Sequence, residues 1–184
     1  PSRTSGRGID WSDWYRAAGC ESAYLAFDPD NPIDIYGGCY QGLIEKLNIL
    51  TQKSRSIMAY EYLGLGSVPS DQKFRFNWNA PIFASPHNPS TIYHAGNVLF
   101  KTNDGGNSWD VISPDLTKND KLKHDLGSVP FTNEAAGGEV YNTIMYAAES
   151  KHEAGTIWVG SDDGLIHITK DGGTNWKNIT PRSM

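Results

Sequence analysis

Two near-copies of one short stretch hold residue types that can bind a phosphate or a metal ion. "KTNDGGNSWD" occupies residues 101–110 and "TKDGGTNWKN" occupies residues 169–178, and each combines an Asp with two glycines and a Thr. A phosphate-binding loop would also need Gly-Lys-Ser/Thr at the start of a helix, and an EF-hand would need a loop of about 12 residues that ends in Glu. Because both stretches lack these features, their spacing favours a tight turn.

A second set of residues has the chemistry of a sugar-binding site. Two carboxylates, two aromatic rings and two amides precede predicted strands at equivalent places in the chain, and they are Glu21, Trp78, Asn79, Glu139, Tyr141 and Asn142. Glycosidases hold two carboxyl groups about 5–5.5 Å apart when retaining and about 6.5–9.5 Å apart when inverting. Glu21 and Glu139 belong to repeats that are not adjacent, so as catalytic candidates they suit the wider separation. The sequence favours the simpler alternative, in which both bond neighbouring backbone.

An internal repeat must position these residues. Three anchors, each followed within three residues by Gly and then by a second apolar run, are Ile35-Tyr36, Ile92-Tyr93 and Ile157-Trp158. Each repeat predicts four short strands, A to D, and the Asp-Gly-Gly stretch falls in the turn between strands C and D. Four antiparallel strands per repeat are typical of a β-propeller blade. We expect an all-β propeller segment of about three four-stranded antiparallel blades, and part of a larger propeller, because closed rings have about four to eight blades.

The repeats divide the chain into six segments. The two long connections would lie on the top face of the propeller, where ligands bind, and loops beyond about 12–15 residues are usually functional or disordered. The predicted segments are the end of a preceding blade (1–19), a blade without the Asp-Gly-Gly turn (20–60), a long loop (61–78), a blade with the turn (79–114), a second long loop (115–139) and a second blade with the turn (140–184).

The Asp-Gly-Gly stretches have a structural interpretation as hairpin turns. Asp-Gly and Gly-Gly adopt the backbone angles of tight hairpins at low cost. Asp104 and Asp171 are placed to accept hydrogen bonds from backbone N–H groups of their own turns. Trp109 and Trp176 are predicted to pack across the same hairpins, where an indole buries a large area.

These turns resemble the Asp-box, or BNR repeat, Ser/Thr-x-Asp-x-Gly-x-Ser/Thr-Trp. The first turn matches throughout and the second matches except at Asn175; the matching residues are Thr102, Asp104, Gly106, Ser108, Trp109, Thr169, Asp171, Gly173 and Trp176. Nearly the whole chain is similar to large bacterial proteins described as sortilin-like or as BNR-repeat "glycosyl hydrolase". The resemblance implies a propeller, a structural Asp-box at the blade periphery, and an extracytoplasmic location, whether periplasmic, secreted or at the cell surface.

Three functions agree with this sequence. The first is a binding platform for polypeptide or glycan that is non-catalytic in this segment; the second is part of a glycoside hydrolase; the third is a structural subunit or scaffold of a larger assembly. The partners would be the remaining blades of the same propeller or other subunits. A sialidase would need an arginine triad, and only Arg75 lies near the start of a strand A, which argues against that activity.

Composition excludes several other classes. The 16 Lys and Arg against 21 Asp and Glu give a net charge of −5, and without a basic cluster this predicts no nucleic-acid partner. No apolar run approaches the roughly 20 residues of a membrane span. The five His residues lack metal-ligand spacing, so we expect neither a metal nor a cofactor. The start "PSRTSGRGID" lacks an initiator Met, so we expect a chain that is processed or cut from something longer.

The two cysteines leave two alternatives open. Cys20 precedes strand A and Cys39 ends strand B of the first repeat, and the antiparallel pairing of these strands places them within about two positions of alignment. Their Cα atoms would then lie close to the 4.4–6.8 Å range of a disulfide. A pair of small buried cysteines is the alternative.

Overall fold

The chain folds into three four-stranded antiparallel sheets in a computed structural model. The structure describes residues 6, 8–20, 24–62, 68–126 and 140–182. In each sheet the strands are neighbours in chain order, so each is a simple meander. This arrangement confirms the prediction of an all-β fold with three four-stranded sheets.

The strands are short, as the repeats predict. The first sheet holds β1 (Leu25–Phe27), β2 (Asp34–Gly38), β3 (Ile44–Asn48) and β4 (Lys53–Ser56); the second holds β5 (Ile82–Ala84), β6 (Ile92–Ala95), β7 (Leu99–Thr102) and β8 (Asp110–Val111); the third holds β9 (Ile144–Glu149), β10 (Ile157–Ser161), β11 (Ile166–Thr169) and β12 (Lys177–Asn178). The helical elements of the described chain are 3-10 turns at Trp11–Asp13, Tyr40–Gly42, Pro69–Asp71 and Lys121–Leu126.

The sheets stack face to face, and their alternating apolar residues form the core between them. Successive residues of a strand point to opposite faces, so one strand serves the interfaces on both of its sides. Between the first and second sheets lie Ala26, Tyr36, Ile44, Ile57, Ile82 and Ile92. Between the second and third sheets lie Tyr93, Ala95, Leu99, Leu116, Ile144, Ala147, Ile157 and Val159. Removal of this apolar area from water stabilises the stack.

Residues 14–19, within the segment that the sequence predicts to be the end of a preceding blade, do not form a strand. Trp14 makes a single β-bridge, and the segment then continues without regular structure. Ala18 packs instead with Ile35 and Leu47 on the face of the first sheet, and the Gly19 amide donates to a Glu45 carboxylate oxygen at 2.9 Å. A strand needs a neighbouring strand for its backbone groups, and here the side-chain carboxylate of Glu45 takes that role.

A disulfide joins Cys20 to Cys39, with their Cα atoms 4.9 Å apart. Gly19 and Gly37 make this approach possible. A Cβ atom on Gly37 would lie 2.8 Å from the Gly19 nitrogen, which is too close for any other residue type. The Cys20 amide donates to the Gly38 carbonyl at 3.0 Å, so backbone contacts align the two cysteines.

Candidate functional site

The connections β2–β3, β4–β5, β6–β7, β8–β9 and β10–β11 meet at one end of the stacked sheets, which we call the loop face. Antiparallel strands alternate in direction, so every second connection falls at the same end. Backbone hydrogen bonds tie these connections together: the Ile144 amide donates to the Gly96 carbonyl at 2.8 Å, and the Leu116 amide donates to the Asn97 carbonyl at 3.0 Å. At the loop face the described parts of the β6–β7 and β8–β9 connections are therefore joined by backbone hydrogen bonds.

An aromatic pair lies on the loop face. The rings of Tyr40, from the β2–β3 connection, and Trp78, from the β4–β5 connection, have centroids 5.2 Å apart and planes tilted by 39°. Both side chains are half-buried, and Asn79 beside them is exposed. Tyr and Trp side chains that keep part of their surface in water offer a ligand both an apolar area and a polar tip. The sequence indicates Trp78 and Asn79 as ligand-binding candidates, but it does not indicate Tyr40, which directly follows Cys39.

The turn that carries Tyr40 is held in an unusual backbone conformation. Gln41 and Gly42 both have positive φ angles, of 62° and 77°. A Cβ atom on Gly42 would lie 2.7 Å from the Phe76 ring, so only Gly fits there. The disulfide of Cys39 fixes the start of the same turn. These constraints position the Tyr40 ring against Trp78 before any ligand binds, which lowers the entropy cost of binding.

Arg75 does not present its charge to a ligand. It is 4% exposed, its guanidinium Nη2 lies 2.8 Å from an Asp115 oxygen, and the same nitrogen donates to the Thr117 hydroxyl at 3.2 Å. Asn97 donates to the same Asp115 oxygen at 2.9 Å. The residue that stood alone as an arginine candidate for a sialidase site is thus a structural cation inside a polar network.

The Asp115 carboxyl is held in its ionised form. Burial raises its pKa, but hydrogen bonds from Thr117, Arg75 and Asn97, together with the Arg75 charge, offset this and leave the pKa below its ordinary value. A general acid needs a carboxyl that is protonated near neutral pH. Asp115 therefore suits the support of the loop face rather than proton donation.

Asn142 lies inside the protein, and its burial does not fit the prediction that it contacts a ligand. Its exposed fraction is 0%, its φ is 61°, its amide NH₂ donates to Asp163 at 2.5 Å, and its carbonyl oxygen accepts from the Asp120 amide at 2.9 Å. Asp163 also accepts from the Lys118 amide at 2.6 Å. Asn142 thus ties the β8–β9 connection to the β10–β11 connection.

Asp162, beside Asp163 in the β10–β11 connection, has a carboxyl with altered acidity. Burial raises its pKa, and the neighbouring Asp163 charge raises it further, against hydrogen bonds from Thr143 and Asn142 that lower it, so the net direction is upward. The Thr143 amide and hydroxyl donate to its two oxygens at 3.0 and 3.1 Å. A half-buried carboxyl with a raised pKa next to a second carboxylate is an arrangement that enzymes use for proton transfer.

Of the other predicted site residues, the structure describes Tyr141 but not Glu21 or Glu139. Tyr141 is half-buried, and the Lys123 ammonium lies 5.6 Å from the centre of its ring. The carboxylates Glu21 and Glu139 lie outside the described residues.

In the part of the chain that the structure describes, no cluster of three His, Cys, Asp or Glu could hold a metal ion. No helix there has the length and apolar composition that crossing a membrane requires.

The Asp-Gly-Gly turns lie at the opposite end from the loop face. In the first turn one Asp104 oxygen accepts from the Asn107 and Ser108 amides at 2.9 and 3.0 Å, and the other accepts from the Ser108 hydroxyl at 2.7 Å. These bonds, with one from Thr102, hold the pKa of Asp104 well below its usual range. In the second turn, bonds from the Asn175 amide and side chain, then from Thr169, lower the pKa of Asp171 to about 2.

The two tryptophans reach beyond their own hairpins. Trp109 donates its indole N–H to the Ile57 carbonyl at 2.9 Å, and Trp176 donates to the Ile112 carbonyl at 2.9 Å. Ile57 follows the last strand of the first sheet, and Ile112 follows the last strand of the second. Each indole therefore fastens its sheet to the preceding sheet. The sequence predicted the burial of the indoles but not this partner.

The fold is that of a β-propeller, because the solved structures that resemble it are propellers. The xyloglucanase of Xanthomonas campestris, a GH74 enzyme, matches with a TM-score of 0.56 and 16% identity over 86% of this chain and 23% of that one. YCF48 bound to a D1 peptide matches with a TM-score of 0.51 and 17% identity over 93% of this chain and 44% of that one. The chain thus spans less than half the length of either protein. No family model and no curated protein matches this sequence.

Proposed function

We propose that this chain is part of an extracytoplasmic β-propeller that binds a polypeptide or glycan at its loop face, without catalysis in this segment. The observation that carries the proposal is the Tyr40–Trp78 pair, with ring centroids 5.2 Å apart. The pair is half-buried, its backbone is preset, and exposed Asn79 adds an amide beside it. A rigid aromatic surface with a neighbouring amide suits ligands that offer both an apolar face and hydrogen-bonding groups.

The state of the nearby acids supports binding over catalysis. Asp115 is ionised and bonded to Arg75, and Asp163 accepts from Lys118, Asn142 and Ser161. Acids whose oxygens are committed to the protein's own groups stabilise the loop face and are not available to a substrate. The solved propellers include YCF48 with a bound peptide and a xyloglucanase, so both ligand classes occur with this fold.

Part of a glycoside hydrolase is the second candidate function. The observation in its favour is that the half-buried Asp162 carboxyl lies beside Asp163 and accepts from the Thr143 amide and hydroxyl, while burial and then the Asp163 charge raise its pKa, an arrangement found in acid–base pairs. Glu21 and Glu139 remain catalytic candidates from the sequence. If the chain takes part in hydrolysis, Glu21→Gln, Glu139→Gln or Asp162→Asn will abolish turnover of a xyloglucan or related polysaccharide. Unchanged turnover in all three variants would remove this candidate.

The location and partners follow from the same proposal. The Cys20–Cys39 disulfide is stable in an oxidising compartment, which supports a periplasmic, secreted or cell-surface protein. A structural role in a larger assembly is the third candidate, and we propose further blades or other subunits as its partners. The face of the third sheet that no described residue covers, where Trp158 is exposed, favours such partners.

The experiment is a binding assay on two panels, one of soluble polysaccharides and one of peptides, with the purified chain and three variants. Trp78→Ala and Tyr40→Ala should each weaken binding by at least tenfold. Trp11→Ala is the matched control, because Trp11 is 93% exposed and belongs to none of the connections that form the loop face. The panel that gives the Trp78-dependent signal identifies the ligand class. Binding that survives both loop-face substitutions would overturn the proposed site.

A further inference from the structure

The third sheet has one face that no part of the described chain covers. Ile157 and Val159 in β10 point toward the second sheet and are buried there. Trp158, between them, points the other way and is 43% exposed. Ala148 and Ile168 lie directly opposite Trp158 in the two adjacent strands, so their side chains are on the same side of the sheet as Trp158. We call this side the open face and define it by Tyr146, Ala148, Trp158, Ile166, Ile168 and Ile179.

The same chain contains two covered copies of this face. Tyr36 and Tyr93 stand at the position of Trp158, and they are only 6% and 3% exposed because the following sheet covers them. Ile44 and Leu99 stand at the position of Ile166, and both are fully buried. The covered copies show what normally packs on such a face, namely the sheet that comes next.

Ile179 is the third member of a series with Ile57 and Ile112. Each of the three amides donates back into the preceding strand: Ile57 to Ile44 at 2.9 Å, Ile112 to Leu99 at 2.9 Å, and Ile179 to Ile166 at 2.8 Å. The carbonyls of Ile57 and Ile112 receive the indoles of Trp109 and Trp176. Ile179 itself is 39% exposed.

The glycines of the Asp-Gly-Gly turns complete this contact. A Cβ atom on Gly106 would lie 2.7 Å from the Ile57 Cβ, and one on Gly173 would lie 3.0 Å from the Ile112 Cβ. Both glycines have positive φ angles, of 83° and 106°. Each contact between an Asp-Gly-Gly turn and the preceding sheet thus has two parts. A Gly fits against the Ile side chain, and a Trp three residues later donates to the carbonyl of the same Ile.

We propose that the open face is the docking site for a further blade that carries the same turn, with a Gly against Ile179 and a Trp indole on its carbonyl. This deepens the proposal that the partners include further blades. The face is more apolar than its covered copies, because Ile168 stands where they have Lys46 and Lys101. A second copy of this chain does not offer the turn, since Trp109 and Trp176 are already seated in their own chain.

A cyclised peptide with the sequence of residues 99–113, "LFKTNDGGNSWDVIS", tests the site as a probe of the Trp turn. Added to the whole chain, it should shift the NMR signals of Trp158 and Ile179. The same peptide with its Trp replaced by Ala should bind at least tenfold more weakly. Trp158→Lys and, separately, Ile179→Ser in the chain should weaken the binding to a similar degree, whereas Trp11→Lys, at another exposed Trp, should leave it unchanged.

Three results would overturn the inference. They are the absence of shifts at the open face, an affinity that does not depend on the peptide's Trp, and a concentration-dependent dimer in sedimentation that Trp158→Lys abolishes, since the last assigns the face to a second copy. Far-UV circular dichroism of each variant checks that the sheets are retained. Trp78→Ala should leave peptide binding intact, so a failure of the loop-face function is distinguishable from a failure of this docking site.

Discussion

The indole nitrogen of Trp176 lies 2.9 Å from the carbonyl oxygen of Ile112, 64 residues earlier in the chain. Trp109 makes the same contact with Ile57, 52 residues earlier and also at 2.9 Å. Each bond joins a turn of one sheet to the residue that follows the last strand of the preceding sheet, and it adds to the apolar contacts between the two sheets. The tryptophans therefore give each sheet a directional contact with the one before it.

Trp176→Phe should lower the free energy of unfolding by about 1–3 kcal/mol, because a partly buried carbonyl loses its donor while most of the apolar contact remains. Urea unfolding of the variant and the parent chain measures this difference. Trp158→Phe is the matched control, and it should change the stability by less than about 0.5 kcal/mol because its indole lies on the open face. Equal losses in both variants would contradict the role given to the Trp176 indole.

Asp104→Ala should lower the midpoint of thermal unfolding without changing ligand binding, because Asp104 serves a turn at the end opposite the loop face. The folded chain holds the pKa values of Asp104 and Asp171 below the ordinary 3.8. Their stabilisation is therefore complete above pH 4 and is lost as the pH falls toward 2. Unfolding midpoints between pH 5 and pH 2.5 measure it, and a metal or phosphate found on either carboxylate would contradict the structural role.

The lowered pKa of His94 predicts a second pH dependence of the free energy of unfolding. His94 is completely buried, with Nδ1 3.1 Å from the Pro81 carbonyl and its ring stacked on Phe76. Burial lowers its pKa from 6.5 to about 4. The unfolded chain binds the proton first, so stability should fall as the pH drops from 6.5 to 4, by up to about 3 kcal/mol. Urea unfolding across this range measures the slope.

The variant that isolates this effect is His94→Gln, which keeps a polar group of similar size but does not titrate. Its stability should be lower at pH 7.5, and the part of the slope due to His94 should disappear. His167 is a second, half-buried histidine whose pKa is also lowered by burial, so His167→Gln serves as the companion variant. A slope that His94→Gln leaves unchanged would show that His94 already titrates normally in the folded chain.

Local sequence was enough to predict the strands and the turns. The anchors at Ile35, Ile92 and Ile157 are each paired in the middle strands of their sheets, because short apolar runs bounded by Gly and Pro have few other stable arrangements. The hydrogen bonds of Asp104 stay within a few residues, so their pattern is also readable from spacing. Features that depend on neighbouring residues in the chain are those that the sequence predicts well.

Features that join distant segments could not be predicted in this way. Tyr40 meets Trp78 across two connections that are far apart in the sequence, and Gln41, in the turn that follows Tyr40, has a positive φ that its residue type does not indicate. Asn142 has the composition of an exposed loop residue, yet Asp163 and the β8–β9 connection enclose it. The hydrogen-bond partners of the Trp109 and Trp176 indoles likewise depend on how one sheet stacks on another.

The disulfide between Cys20 and Cys39 gives the last prediction. Thiol counting under denaturing, non-reducing conditions should find no free thiol, because both cysteines of the chain are in the bond. Reduction should lower the free energy of unfolding by about 3 kcal/mol, as expected for the opening of a loop of this size. It should also weaken ligand binding at the loop face, since Cys39 fixes the turn that carries Tyr40. Cys20→Ser with Cys39→Ser should reproduce both effects without reductant, and two free thiols in the parent chain would contradict the bond.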